Sequence, residues 1–106
     1  MSAENLSRAV DLLARQVGHW GPPRWAAPAT GATVTRSDLL HRLVQRIADL
    51  ASAAEGEPRR AVPRLDNDLA LPDQLRMVAA DLVLAGAPDE VLGTVAADIA
   101  ATRNAI

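Results

Sequence analysis

The sequence predicts an all-α fold, a four-helix bundle-like single domain over residues 1–106, with a long loop containing proline and tryptophan between helices 1 and 2. Three observations lead to this prediction. Four segments repeat apolar residues at the spacing of one helix face. No segment shows sustained alternation of apolar and polar residues, and β-branched residues do not cluster. The length of 106 residues suits one domain with one modest core, and separate apolar stripes can be buried only against one another.

The first helix is expected over Ala3–Val17. Ser2 is a suitable N-cap, and Gly18 is typical of a helix end. Asp11 and Arg15 are expected to pair on the solvent side, because residues four apart are neighbours on a helix. One apolar stripe runs along the other side and consists of Leu6, Val10, Leu13, Val17 and Trp20.

Residues 19–34 are predicted to be a long loop, because three prolines and two glycines forbid a continuous helix. Both tryptophans of the chain, Trp20 and Trp25, lie in this segment. In one interpretation both indoles fold over the helices as a lid and fill gaps left by alanines. In the other, Trp20 and Trp25 contact a partner or ligand together with His19 and Arg24, since tryptophan is a common anchor at interfaces and stiff backbone lowers the cost of ordering.

The second helix is expected to begin near Ser37, where Thr35 and Asp38 give start signals, and to stop at Gly56. Its predicted buried face consists of Leu40, Leu43, Val44, Ile47, Leu50, Ala51 and Ala54. A second connection follows over residues 57–71. In this connection Asp66 and Asp68 are expected to cap short turns.

Two further helices are predicted near the end of the chain. Pro72 suits the first position of the third helix, Gly86 ends that helix, and Pro88 opens the fourth. The joint between them is so short that these two helices are expected to fold back on each other. Their stripes consist of Leu75, Val78, Ala79, Leu82 and Val83, and of Val91, Leu92, Val95, Ile99 and Ile106. The alanines on the stripes leave a thin core, which favours coverage of part of a stripe by a second chain.

The composition excludes several kinds of chemistry. The chain has no Cys and no Lys, so thiolate catalysis, disulfides and Schiff bases are impossible. Its two histidines, His19 and His41, are followed by no metal-binding residue three or four positions further along the chain. The triplet Asp66-Asn67-Asp68 opens like a calcium loop, but Leu71 stands where that loop needs glycine. We therefore expect a protein that is not an enzyme and that binds no cofactor and no metal.

The chain start carries charges that interrupt any signal-peptide core, and no apolar run approaches the length of a membrane span. A cytoplasmic location without membrane attachment is therefore expected. Residues 24–64 contain seven Arg and four acids, whereas residues 65–106 contain two Arg and seven acids. An acidic fourth helix would repel phosphate, so a helix-turn-helix that reads DNA is disfavoured.

The leading hypothesis is a non-catalytic helical protein-interaction module that forms a homodimer or docks on a larger bacterial protein. The loop around Trp20 and Trp25 and the alanine-lined helix faces are its expected contacts. One alternative is a DNA-associated regulator, which would use the basic side chains of Arg36, Arg42, Arg46, Arg59, Arg60 and Arg64. A further alternative is a small-molecule-binding bundle with a pocket between the helices and the tryptophan loop.

Overall fold

The computed structural model describes residues 2–31 and 33–106, and these ranges are mostly helical and contain no strand. The elements are α1 (Ser2–Val17), α2 (Pro22–Ala26), α3 (Arg36–Glu55), a 3₁₀ turn (Asp68–Ala70), α4 (Leu71–Leu84) and α5 (Asp89–Ala105). The all-α prediction is therefore confirmed. No helix in the described part of the chain is both long and apolar enough to cross a membrane.

Local chemistry sets the ends of the long helices. The hydroxyl of Thr35 accepts the backbone N–H of Asp38 at 3.1 Å, so α3 begins one residue before the predicted start. The helix ends at Gly56, whose φ of 71° is a left-handed conformation that glycine adopts without strain. At Gly18, a Cβ atom would lie only 2.9 Å from the carbonyl oxygen of Ala14, so only glycine fits where α1 ends.

The loop between α1 and α3 differs from the prediction because it contains the short helix α2. Pro22 and Pro23 are at the start of this helix, where no intrahelical N–H bond is lost and the fixed φ of proline suits the helix. The two prolines that we took as helix breakers therefore begin a helix. Turn prediction also failed at residues 66–68, because the side chain of Asn67 accepts the N–H of Leu69 at 3.0 Å, and no aspartate cap forms there.

The four long helices surround one buried cluster. α3 packs most extensively against α4, and α1 packs most extensively against α5; smaller contacts join α1 to α4 and α3 to α5. The expected packing of the last two helices against each other is wrong, since each of them contacts α1 more than it contacts the other. Gly86, with a φ of 78°, turns the chain between them, and α5 lies against α1.

Most of the predicted stripe residues are buried, and their side chains form one continuous core. Val91 and Ile106 are partly buried, and three predicted core residues are exposed. Leu50 is 37% exposed, Val83 is 40% exposed, and Ala54 is also exposed. Leu50 and Ala54 lie towards the C-terminal end of α3, and Val83 is in the last turn of α4. The helical spacing of apolar residues therefore identifies the buried stripe, but it overestimates how far along the helix that stripe is buried.

Candidate interaction surface

Both tryptophan side chains lie in the core. Trp20 is 4% exposed and Trp25 is 1% exposed, and their rings meet edge to face with centroids 5.1 Å apart. Both belong to the same apolar cluster as the helix stripes. This is the burial that the lid interpretation describes. The interpretation in which the indoles contact a partner stays a prediction, and such contact requires the segment to open.

Polar contacts fasten the tryptophan segment to the helices. The guanidinium carbons of Arg24 and Arg36 lie 5.2 and 5.3 Å from the ring centroid of Trp20. Nη1 of Arg36 also donates to the carbonyl oxygen of Arg24 at 3.3 Å. His19 and Arg24 are exposed. They are therefore the two candidates in this segment that a partner reaches without any rearrangement.

The arginine-containing connection is tied along α3 through its backbone. Nε2 of Gln45 donates to the carbonyl oxygen of Arg60 at 3.0 Å, and its Oε1 accepts the N–H of Val62 at 2.7 Å. Nε2 of His41 lies 3.1 Å from the carbonyl oxygen of Val62, and this nitrogen must be the donor because a carbonyl only accepts. Arg60 is thereby placed beside α3, and Arg59 precedes it.

Six arginines were proposed for nucleic acid. One of them, Arg36, lies over the ring of Trp20, and the other five fall into two groups. Arg42, Arg46, Arg59 and Arg60 are exposed and take no part in an ion pair among residues 2–31 and 33–106. Arg64 is engaged, because its guanidinium lies 2.8 Å from Asp38 and 3.6 Å from Asp68. Binding of nucleic acid through this group stays a prediction.

The Arg64 contact predicts a pKa change at Asp38. The hydrogen bond from Arg64 holds the pKa of Asp38 below its ordinary value of 3.8, with a smaller lowering contribution from Thr35. A depressed folded-state pKa contributes stability above the unfolded value, and this contribution is lost as the pH falls through the folded value. We expect Arg64→Gln to raise the pKa of Asp38 in an NMR titration, whereas Arg59→Gln leaves it unchanged. Equal pKa values in the two variants would refute the assignment.

Exposed apolar side chains gather on α4. Leu84 is 84% exposed, Met77 is 65% exposed and Val83 is 40% exposed. Met77 and Leu84 are seven residues apart, which places them on the same side of the helix. Contiguous apolar side chains on a surface are typical of a binding site. The sequence offered a signal for this surface in the spacing of Met77, Ala80 and Leu84, which forms a second stripe beside the buried one.

A groove of about 490 Å³ runs between α1 and α4 beside Val83 and Leu84. Its lining is largely apolar and includes small residues of both helices, among them Ala3, Ser7, Ala79 and Ala80. Val83 and Leu84 stand at its edge. We call this groove, with Val83 and Leu84, the α1–α4 face. Met77 lines the groove on the other side of α4, towards α3.

One ion pair lies in the same groove. Nη1 of Arg76 donates to Oδ1 of Asp11 at 2.6 Å, and these two residues line the groove with the apolar ones. The expected pair of Asp11 with Arg15 does not form, because Arg76 of the neighbouring helix reaches the carboxylate instead. The contact neutralises both charges within the α1–α4 face, so its remaining character is apolar.

The pocket that we predicted between the helices and the tryptophan loop is small. A cavity of about 90 Å³ lies there, lined by Trp20, Trp25 and the connection around Asn67. Ligand sites begin at roughly 300 Å³, so this cavity gives the small-molecule alternative no support. In the described ranges, no three His, Asp or Glu side chains come close enough together to hold a metal ion.

Comparison with known proteins gives no further information about these surfaces, so a function must be argued from the residues and contacts described above. The chain matches no protein-family model, no curated protein and no solved structure.

Proposed function

We propose that this chain is a non-catalytic, four-helix-bundle-like interaction module that self-associates, with a second copy covering the α1–α4 face. The observation that carries the proposal is the exposure of Leu84, a large aliphatic side chain that is 84% accessible at the edge of an apolar groove. Full burial of a leucine side chain is worth about 1.5–3 kcal/mol relative to exposure, so covering this surface is favourable.

A second copy suits this face because the face has both a projecting apolar side chain and a groove that can receive one. Leu84 projects from α4, and the groove with its small residues lies next to it on the same molecule. In a symmetric dimer both copies use the same patch. The projecting side chain of each copy can therefore enter the groove of the other. The alanine and serine positions on the groove floor allow a helix of the second copy to approach closely.

Light scattering over a range of micromolar concentrations tests the proposal. We expect the mass to rise with concentration from that of one chain, 11.2 kDa, towards twice that value. Leu84→Ser is expected to weaken the dimer by about tenfold or more, because it removes the most exposed apolar side chain of this face.

The matched control is Leu69→Ser. Leu69 is also partly exposed, at 46%, but it lies in the 3₁₀ turn beside the tryptophans and outside the α1–α4 face. We expect this variant to dimerise like the unmodified chain. A constant mass of one chain at every concentration would refute self-association, and equal weakening by both serine variants would refute the choice of surface.

A further inference from the structure

A second groove lies on the side of α4 that faces α3, between these two helices and the connection that joins them. Its volume is about 420 Å³, and its lining is mainly apolar. Met77 and Leu65 line it and are 65% and 46% exposed, while the buried Val78 and Ala51 form part of its floor. We call it the α3–α4 groove. Large apolar side chains at the opening of an apolar groove are typical of a surface that binds a partner.

The connection shows that α3 and α4 run in the same direction. Arg64 pairs with Asp38, in the first turn of α3, at 2.8 Å, so the connection has returned along α3 to its start. Gln74, near the start of α4, donates to the carbonyl oxygen of Pro63 at 3.0 Å. α4 therefore begins beside the start of α3. Because the two helices also pack extensively against each other, their C-terminal ends lie at the same end of the groove.

This end of the groove is acidic. Glu55 is the last residue of α3, Asp81 is in the last turn of α4, and Glu57 opens the connection. All three line the groove, are exposed, and take part in no ion pair among residues 2–31 and 33–106. Among the described residues that line the groove, Arg60 alone is basic, so the lining has a net charge of −2.

The helix dipoles add to this negative charge. The C-terminal end of a helix carries partial negative charge on its free carbonyl groups, which lysine or arginine in the last turn can compensate. Neither α3 nor α4 has a basic residue in its last turn. Two uncompensated helix ends and three carboxylates therefore lie at one end of an apolar groove, where they stabilise a bound cation.

We propose that the α3–α4 groove binds a basic amphipathic segment of a partner protein. Its apolar side chains pack beside Met77 and Leu65, and its Lys or Arg side chains lie at the acidic end. From Gln74 to Asp81 the groove follows α4 for about 10 Å, which is enough for one or two apolar side chains. The carboxylates repel an acidic surface, whereas a basic segment gains both apolar contact and charge complementarity. This groove is separate from the α1–α4 face, so the inference does not depend on self-association.

Fluorescence anisotropy with a fluorescein-labelled synthetic peptide tests the proposal. The peptide has two leucines four residues apart, which lie on the same side of a helix, followed by three lysines. We expect it to bind with a dissociation constant in the micromolar range that rises with salt concentration, because exposed charges are screened. The matched control peptide has glutamates in place of the lysines, and we expect no binding of it.

Substitutions in the groove are expected to have effects of opposite sign. Asp81→Asn should weaken binding of the lysine peptide by about threefold, and Met77→Ser by about tenfold, because they remove a carboxylate and an apolar contact. Arg60→Gln should strengthen binding by about threefold, since it removes a cation from the lining. Asp89→Asn is the matched control, because Asp89 is an exposed acid at the start of α5 and outside the groove. We expect neither this variant nor Leu84→Ser to change binding of the peptide.

Several results would overturn the proposal. It fails if the lysine peptide does not bind, if the glutamate peptide binds equally well, or if Asp89→Asn weakens binding as much as Asp81→Asn. It also fails if Met77→Ser lowers the mass of a dimer in light scattering, because a second copy then covers the groove. A chain that stays monomeric but binds the lysine peptide would refute self-association and support this proposal. Circular dichroism verifies equal helix content in all variants.

Discussion

Trp25→Ala is expected to lower the free energy of unfolding by about 3–5 kcal/mol, a large part of the 5–15 kcal/mol typical of a domain. The side chain is 1% exposed and is the largest fully buried one in the protein. Its removal leaves a cavity at the edge of the ring of Trp20, 5.1 Å away between centroids. Urea unfolding followed by circular dichroism measures the loss.

Trp25→Phe and Arg24→Ala serve as controls for this result. The phenylalanine keeps an aromatic ring in the site and removes an indole N–H that has no acceptor among the described residues. We therefore expect it to cost less than the alanine variant, about 1–2 kcal/mol. Arg24 is exposed, and its replacement is expected to change stability by less than about 1 kcal/mol. A loss below about 1 kcal/mol for Trp25→Ala would mean that the indole is not part of the core in solution.

The boundaries of the long helices were predictable because the chemistry that sets them is local. Thr35 and Gly56 limit α3 through hydrogen bonds to residues at most four positions away, and such contacts depend little on the rest of the fold. The buried stripe of α1 was equally predictable, since all five of its predicted residues are buried. Local rules of this kind need no knowledge of which helix lies opposite.

The choice of helix neighbours was not predictable in the same way. The turn at Gly86 permits α5 to leave α4 in several directions, and the apolar stripes of all four long helices are chemically similar. The final arrangement depends on how the side chains of α1, α4 and α5 fill space together, which no single segment encodes. For the same reason the sequence placed α4 and α5 together, although α1 contacts each of them more.

The candidate interaction surface shows the same difference between features that local sequence predicts and features that only the assembled fold determines. The sequence drew attention to Trp20 and Trp25 because tryptophan is typical of interfaces, yet both indoles are buried. Leu84 drew no attention, because a leucine near the end of an amphipathic helix is ordinary. Its exposure depends on the absence of a neighbouring helix over the end of α4, and that is a property of the assembled chain.

Leu43→Ala is expected to cost about 2–5 kcal/mol, whereas Leu50→Ala is expected to cost about 1 kcal/mol or less. Both leucines are on α3, seven residues apart, and periodicity assigns them to the same buried face. The structure separates them, because Leu43 is fully buried and Leu50 is 37% exposed. The substitutions are chemically identical and in the same helix, so differences in helix propensity cancel. The ratio of the two losses therefore measures how far the core extends along α3. Urea unfolding of both variants provides the values, and losses of equal size would mean that the core covers the helix to its last turns, as the periodicity alone predicts.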